Sequence, residues 1–215
     1  MNTIDAESAS KLAGLQIDLL QKIRQEHITL VHLEWFLNLS KVQRNTVSGV
    51  DFSSLTKETP LLEFVTSVTV PGVDKFIAAD HFKHGETVDG VRCYLWEDFQ
   101  KHFLGKTEEN VAGCDIRIHK LLKGSRDLGI RSEIGEEKEE IKLANLWSML
   151  KLQSKGESGA LLINGYANIF YVRDTEGTLW AVSAYWRADY REWRLFAYSI
   201  GYQNEWSAGY QVCSR

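Results

Sequence analysis

At 215 residues the chain is long enough for one substantial core or two small ones, and 44% apolar with 25% charged residues excludes a disordered polypeptide. A net charge of −4 argues against a generic polyanion binder, and no apolar run approaches the ~20 residues of a membrane-spanning helix. Cys93, Cys114 and Cys213 are scattered and form no C-x-x-C pair, which excludes a disulfide framework and a cysteine-based zinc site.

The opening stretch, MNTIDAESASK, has neither the basic head nor the apolar segment of an export signal, so the expected compartment is the cytoplasm. Residues 5–25 read as a helix: Leu12, Leu15, Leu19, Leu20 and Ile23 recur near a 3.6-residue period, with Asp5 or Ser8 as cap. A second helix is expected over 30–39, with Leu30, Leu33, Phe36 and Leu37 on one face. Ser40 and Gln43 have the spacing of a capping box for a short third helix ending at Val47. The expected organisation is a helical region over 1–48, a Ser/Thr-rich linker over 49–60, and an α+β domain over 61–215.

Within that domain EFVTSVTV (63–70) alternates like a strand and ends at Pro71-Gly72. Residues 75–82 fit a strand or a short helix equally well. VRCYL (91–95) reads as a strand leading into a short helix over 97–104, and DIRIHKL (115–121) as another strand. A long helix is expected over 136–153. It opens with acids at the positive end of the helix dipole and places Leu143, Leu146, Trp147 and Leu150 on one face. Gly156 follows in the terminating position.

From residue 159 the period becomes that of strands, over 160–164, 168–173, 178–186, 192–200 and 210–214. Turns at 174–177 and 188–191 make this an antiparallel meander. The expected fold is therefore α+β: a C-terminal antiparallel meander packed by a helix, with an N-terminal helical extension.

Residues 166–210 are dense in aromatic side chains, and after Lys155 every cation is an arginine. On strand 178–186 alternation sends Trp180, Val182, Ala184 and Trp186 to one face and Leu179, Ala181, Ser183 and Tyr185 to the other. Both faces are thus largely apolar, so either both are covered, by helices on one side and loops on the other, or one presents an aromatic platform. Arginine beside Trp and Tyr stacks on flat partners and pairs with carboxylates. The candidate contact residues are Trp186, Tyr190, Arg191, Trp193 and Arg194.

Asp80, His81, His84 and His102 could form an irregular hydrolase or transferase site. Their spacing matches no metal-ligand motif, so no metal and no cofactor are expected. Cys93 with His102 and Asp98 is the compact Cys/His/Asp set, but Cys93 lies mid-strand, where a thiol is ordinarily a small buried apolar group. There is no G-x-S-x-G, phosphate loop or dinucleotide fingerprint.

LLINGYANIFYVRD, from Leu161 through Asp174, and the terminal WSAGYQVCSR, from Trp206 through Arg215, resemble a group of proteins from candidate-phyla (Patescibacteria) bacteria. That group shares LLxNGYANIFYVRD and a W-x-x-G-x-x-V-x-S-R ending. HLEWFLNLS and FIAADHF are similar to it as well. One departure is Cys213, where the group's pattern has Phe. The resemblance implies a stand-alone bacterial protein and brings no catalytic residue. The reading is a non-catalytic binding protein with a protein partner. The alternatives are the His/Asp enzyme and a single-stranded nucleic-acid binder on the sheet.

Overall fold

The computed structural model describes residues 6–25, 28–39, 60–201 and 205–215, so the expected third helix and linker lie outside the described residues. The chain divides into two units, 1–59 and 60–215. In the first, α1 (Ala6–Arg24) carries an i,i+4 ion pair between Asp18 and Lys22 at 3.0 Å. Helix α2 (Leu30–Asn38) starts at Thr29 with a reciprocal cap: the hydroxyl accepts from His32 N–H, and His32 Nδ1 accepts from Thr29 N–H.

The second unit is the α+β domain. In chain order it contains β1 (Leu62–Val70), β2 (Val73–Ile77), α3 (Ala78–His81), β3 (Thr87–Val88), β4 (Val91–Leu95), α4 (Glu97–Phe103), β5 (Thr107–Val111) and β6 (Cys114–Leu121). Then come α5 (Asp127–Ile134), α6 (Glu136–Glu139), α7 (Leu143–Lys151), β7 (Asn168–Arg173), β8 (Leu179–Arg187), β9 (Glu192–Ser199) and β10 (Gln211–Ser214). The ambiguous 75–82 stretch is both a strand and a helical turn, because β2 pairs with β5 and then runs directly into α3.

Eight strands form one sheet in the order β1-β6-β10-β7-β8-β9-β4-β3. Strands β7, β8 and β9 are the expected antiparallel meander. The Asp174 carboxylate shapes its first turn by accepting from Glu176 N–H and Thr178 N–H, both at 2.9 Å, while Gly177 supplies a φ of +84°. Two pairings are parallel, β10 with β7 and β4 with β9, so the last strand inserts into the sheet centre beside β6 instead of extending the meander.

The long helix expected over 136–153 is broken. Residue 140 adopts extended backbone and bridges Tyr171, and Ile141 N–H donates to Tyr171 O at 2.8 Å. Burying Ile141 completely against the sheet outweighs helix continuity there. The 160–164 stretch is a loop, not a strand. Its backbone bonds go to side chains instead: Gln153 Oε1 accepts from Leu161 N–H at 2.7 Å, and Asn168 Oδ1 accepts from Leu162 N–H at 2.8 Å. Helix α5 and strand β5 are elements the periodicity did not single out.

Both sheet faces carry a core. On one, α7 contributes Leu143, Leu146 and Leu150 against Val182, Ala184, Leu195 and Cys213, with Phe99 and Phe103 of α4 beside them. Helix α7 starts without a cap of its own. Glu108 on β5 takes that place, its carboxylate accepting from Leu143 N–H and Ala144 N–H at 3.0 and 2.9 Å. On the other face, Ile130 of α5 packs with Leu121, Ile169, Tyr171, Ala181 and Val212. Strand β7 is therefore buried on both faces, and IFYV, residues 169–172, reads as a continuous apolar run.

Candidate functional site

The second face divides at β8. Under α5 and the 205–210 segment, Asp127 is buried and accepts hydrogen bonds from Tyr171 Oη at 2.9 Å and Trp206 Nε1 at 2.8 Å. Burial raises the Asp127 carboxyl above its usual range, and the two bonds only partly oppose this. Beyond β8 the same face holds rings and arginine instead of aliphatic side chains.

Register places these groups in rows. Arg194 of β9 lies between Tyr185 of β8 and Tyr94 of β4, and Phe196 is opposite Ser183 with Trp96 at the end of β4 beside it. Trp96 and Phe196 stack with centroids 4.7 Å apart, Tyr185 and Phe196 at 5.5 Å, and Phe196 and Tyr198 at 6.1 Å with planes within 9°. The Arg194 guanidinium carbon lies 5.0 Å from the Tyr94 ring centre and 4.9 Å from that of Tyr190. Tyr190 and Trp96 are the most open, at 58% and 46% exposure, while Tyr94, Tyr185, Arg194, Phe196 and Tyr198 are half-buried.

The charges on this surface are mostly paired. Buried Glu192 accepts from Arg194 Nε at 3.1 Å and faces Arg92 Nε at 3.5 Å, and Arg187 reaches Asp189 at 3.3 Å. Burial alone would lower the Arg194 pKa, but its bonds to Tyr185 and Glu192 raise it, so the guanidinium is a fixed cation. Arg191, at the turn with φ of +51°, is exposed and makes no ion pair among the described residues.

Of the five residues expected to make contacts, the structure gathers Tyr190 and Arg194 on this face, while Arg191 is exposed in the turn between β8 and β9. Trp186 and Trp193 are corrected to the opposite one. Trp193 is wholly buried and donates from Nε1 to Gln153 O at 3.1 Å, and Trp186 is 5% exposed and packs edge-on to it at 5.5 Å. Alternation along β8 and β9 decides this, since Trp186 and Trp193 share a face with Val182 and Leu195. Tyr94, Trp96, Tyr185, Phe196 and Tyr198 were not among the expected contacts. The signal for three of them was the same alternation, applied to the positions next to the core residues.

The histidines do not converge. His81 stacks on Phe76 at 4.5 Å, His84 Nδ1 sits 3.0 Å from Leu95 O with its ring against Tyr94, and His102 Nδ1 lies 3.3 Å from Asp174 Oδ2. Asp174 is buried, which would raise its pKa, yet bonds from Trp180 Nε1, the turn N–H groups and His102 hold it low. Among the described residues no group of three His, Cys, Asp or Glu side chains is placed to hold a metal ion. Cys93 is 1% exposed, and burial, helped by nearby Glu192, pushes its thiol up to about 12, away from nucleophilic character. No described helix is long and apolar enough to cross a membrane. Comparison with protein-family models, curated proteins and solved structures finds no match for this chain.

Proposed function

We propose that the chain is a non-catalytic binding protein that holds a protein partner on the ring-and-arginine face of β4, β9 and β8. The observation that carries this reading is the Arg194 guanidinium set between Tyr94 and Tyr190, next to the stacked Trp96, Phe196 and Tyr185. Tyr, Trp, Phe and Arg are the residues enriched at interface centres, where rigid rings give large contact area at small entropic cost. Arg187, Arg194 and Arg92 already have acidic partners, so the surface offers little spare positive charge for a phosphate backbone. The partner that fits presents apolar side chains to the rings and a carboxylate to Arg191. The three free thiols support a reducing, cytoplasmic setting.

The test is capture on the immobilised full chain, followed by binding measurements with the purified captured protein. Trp96→Ala with Phe196→Ala is expected to weaken that binding at least tenfold, while Leu128→Ala on α5 leaves it unchanged. Equal binding by all variants rejects this face. A second reading, single-stranded nucleic acid, is favoured by the rows of rings across adjacent strands, since bases stack on such platforms. It predicts affinity for an oligonucleotide that falls steeply with salt.

A further inference from the structure

A pocket of about 290 Å³ opens over β1, β6 and β10, on the sheet face that carries α5. Strand register sets its floor. Phe64 of β1 is opposite His119 of β6, and Ser214 of β10 is opposite Arg117. Glu133 and Ile134 at the end of α5, Lys138 of α6 and Leu62 line the rest. Arg117 is exposed and Phe64 is 52% exposed, so a solute reaches both from solvent.

The Arg117 guanidinium carbon lies 5.1 Å from the centre of the Phe64 ring. Arg131, Arg173 and Arg194 each hold a carboxylate, whereas Arg117 has no ion pair among the described residues. Stacking on a ring orients the guanidinium plane and leaves its N–H groups for a second partner. Glu133 is the carboxylate of the lining, and both its oxygens are engaged. Oε2 accepts from Leu61 N–H at 3.0 Å, and Oε1 accepts from Leu62 N–H at 2.9 Å. Asp115, on the same face of β6, accepts from Thr69 Oγ1 at 2.6 Å. Lys138 is 3.9 Å from Glu137, with both side chains more than half exposed, a pairing that water screens. Burial and Arg117 hold the His119 imidazole below its ordinary pKa against the pull of Glu133, and its Nε2 lies 3.4 Å from Ser214 Oγ. Arg117 and Lys138 against Glu133, with a neutral His119, leave one net positive charge beside an open phenyl ring.

We propose that this pocket binds a small aromatic monocarboxylate. The carboxylate pairs with the Arg117 fork, whose two parallel N–H groups match its two oxygens. Lys138 adds attraction from the wall, and the ligand ring lies on the apolar surface of Phe64, Leu62 and Ile134. A single negative charge equals the net charge of the lining, whereas a dianion also meets Glu133 with nothing to balance it. A neutral ring forgoes the ion pair, and an acid without a ring forgoes the apolar contact. The volume is close to the lower end of the ~300–1,000 Å³ range of small-molecule sites, which suits an acid of one or two rings.

The probe is benzoate, titrated at pH 7 into the full chain labelled with nitrogen-15 while the assigned amide resonances of Phe64, Arg117 and Lys138 are followed. Benzamide, acetate and phenylphosphonate are the comparison ligands: a ring without charge, a charge without a ring, and a ring with a second charge. The expected result is a saturable shift with benzoate at about tenfold higher affinity than with any comparison, the weight of one charge-assisted hydrogen bond. In Arg117→Gln, with the unfolding midpoint kept, benzoate binds no better than benzamide. No saturable shift with benzoate overturns the proposal, as does equal or tighter binding of any comparison ligand, or unchanged benzoate affinity in Arg117→Gln. Benzoate shifts confined to Tyr94, Trp96 and Tyr190 overturn it as well, since they place the acid on the aromatic rows. The four-ligand comparison on the unmodified chain decides the matter even where the variant fails to fold. None of these outcomes depends on whether β4, β9 and β8 hold a protein partner.

Discussion

Adjacent residues on two strands have opposite fates. Trp193 is sealed under α7 and its neighbour Arg194 lies among open tyrosines, while Trp186 is buried and Tyr185 is half-exposed. On the α7 side, rings serve cohesion. Gly156 lies so close to the Trp186 indole that a Cβ there would sit 2.2 Å from Cε2. On the other side, the rings pack on one another and on guanidinium groups, with little aliphatic material above them. An aromatic-rich strand is therefore two surfaces with separate purposes, and composition by itself does not tell which is which.

The contrast predicts a gradient of effects. Trp193→Ala is expected to destabilise the domain most, by about 3–5 kcal/mol in urea unfolding, because it empties a fully buried site and strands Gln153 O. A loss below about 1 kcal/mol would show that the indole is not sealed. Gly156→Ala should follow at roughly 2–4 kcal/mol, since φ of +73° and contact with the Trp186 ring both oppose a side chain. Near-neutral stability there would place Trp186 away from the core.

Asp127 probes the helix-covered half of the second face. Asp127→Ala should cost about 2–3 kcal/mol by orphaning Tyr171 Oη and Trp206 Nε1, whereas Asp127→Asn keeps an acceptor for both. The pH dependence separates these further. The folded state raises the Asp127 pKa, so its stabilising contribution is complete below the ordinary carboxylate value and is lost as pH rises through the raised one. Asn cannot ionise, so Asp127→Asn should gain stability relative to the unmodified protein as pH rises through that window. A constant difference across pH would contradict the burial argument. Smallest in stability is Trp96→Ala, expected within about 1 kcal/mol because the ring is 46% exposed. Its effect should appear in partner binding instead, and a large loss of stability would make the open face a structural one.

The meander was legible because its signals are local: period-two alternation, Asp174 to Gly177 at one turn and 188–191 at the other. The arginine-and-ring surface was legible only by half. Tyr190, Arg191 and Arg194 stood out by residue type, and so did Trp186 and Trp193, which the core absorbed. Tyr94 and Trp96 come from a strand about 100 residues earlier in the chain, and only the parallel pairing of β4 with β9 sets them beside Arg194 and Phe196. The break at residue 140 was likewise hidden, because the acidic, leucine-spaced stretch is helical by propensity throughout.

The amino-acid order by itself determined the helix and strand periods, the C-terminal meander, the aromatic density and the lack of a standard catalytic motif. Those depend on neighbours within a few residues, where dihedral preference and side-chain spacing act. Tertiary structure alone decided which face each ring took, the central insertion of β10 and the interruption of the helix at Glu140. Each of these turns on burial against segments distant in the chain, and the apolar free energy gained there exceeds local preference.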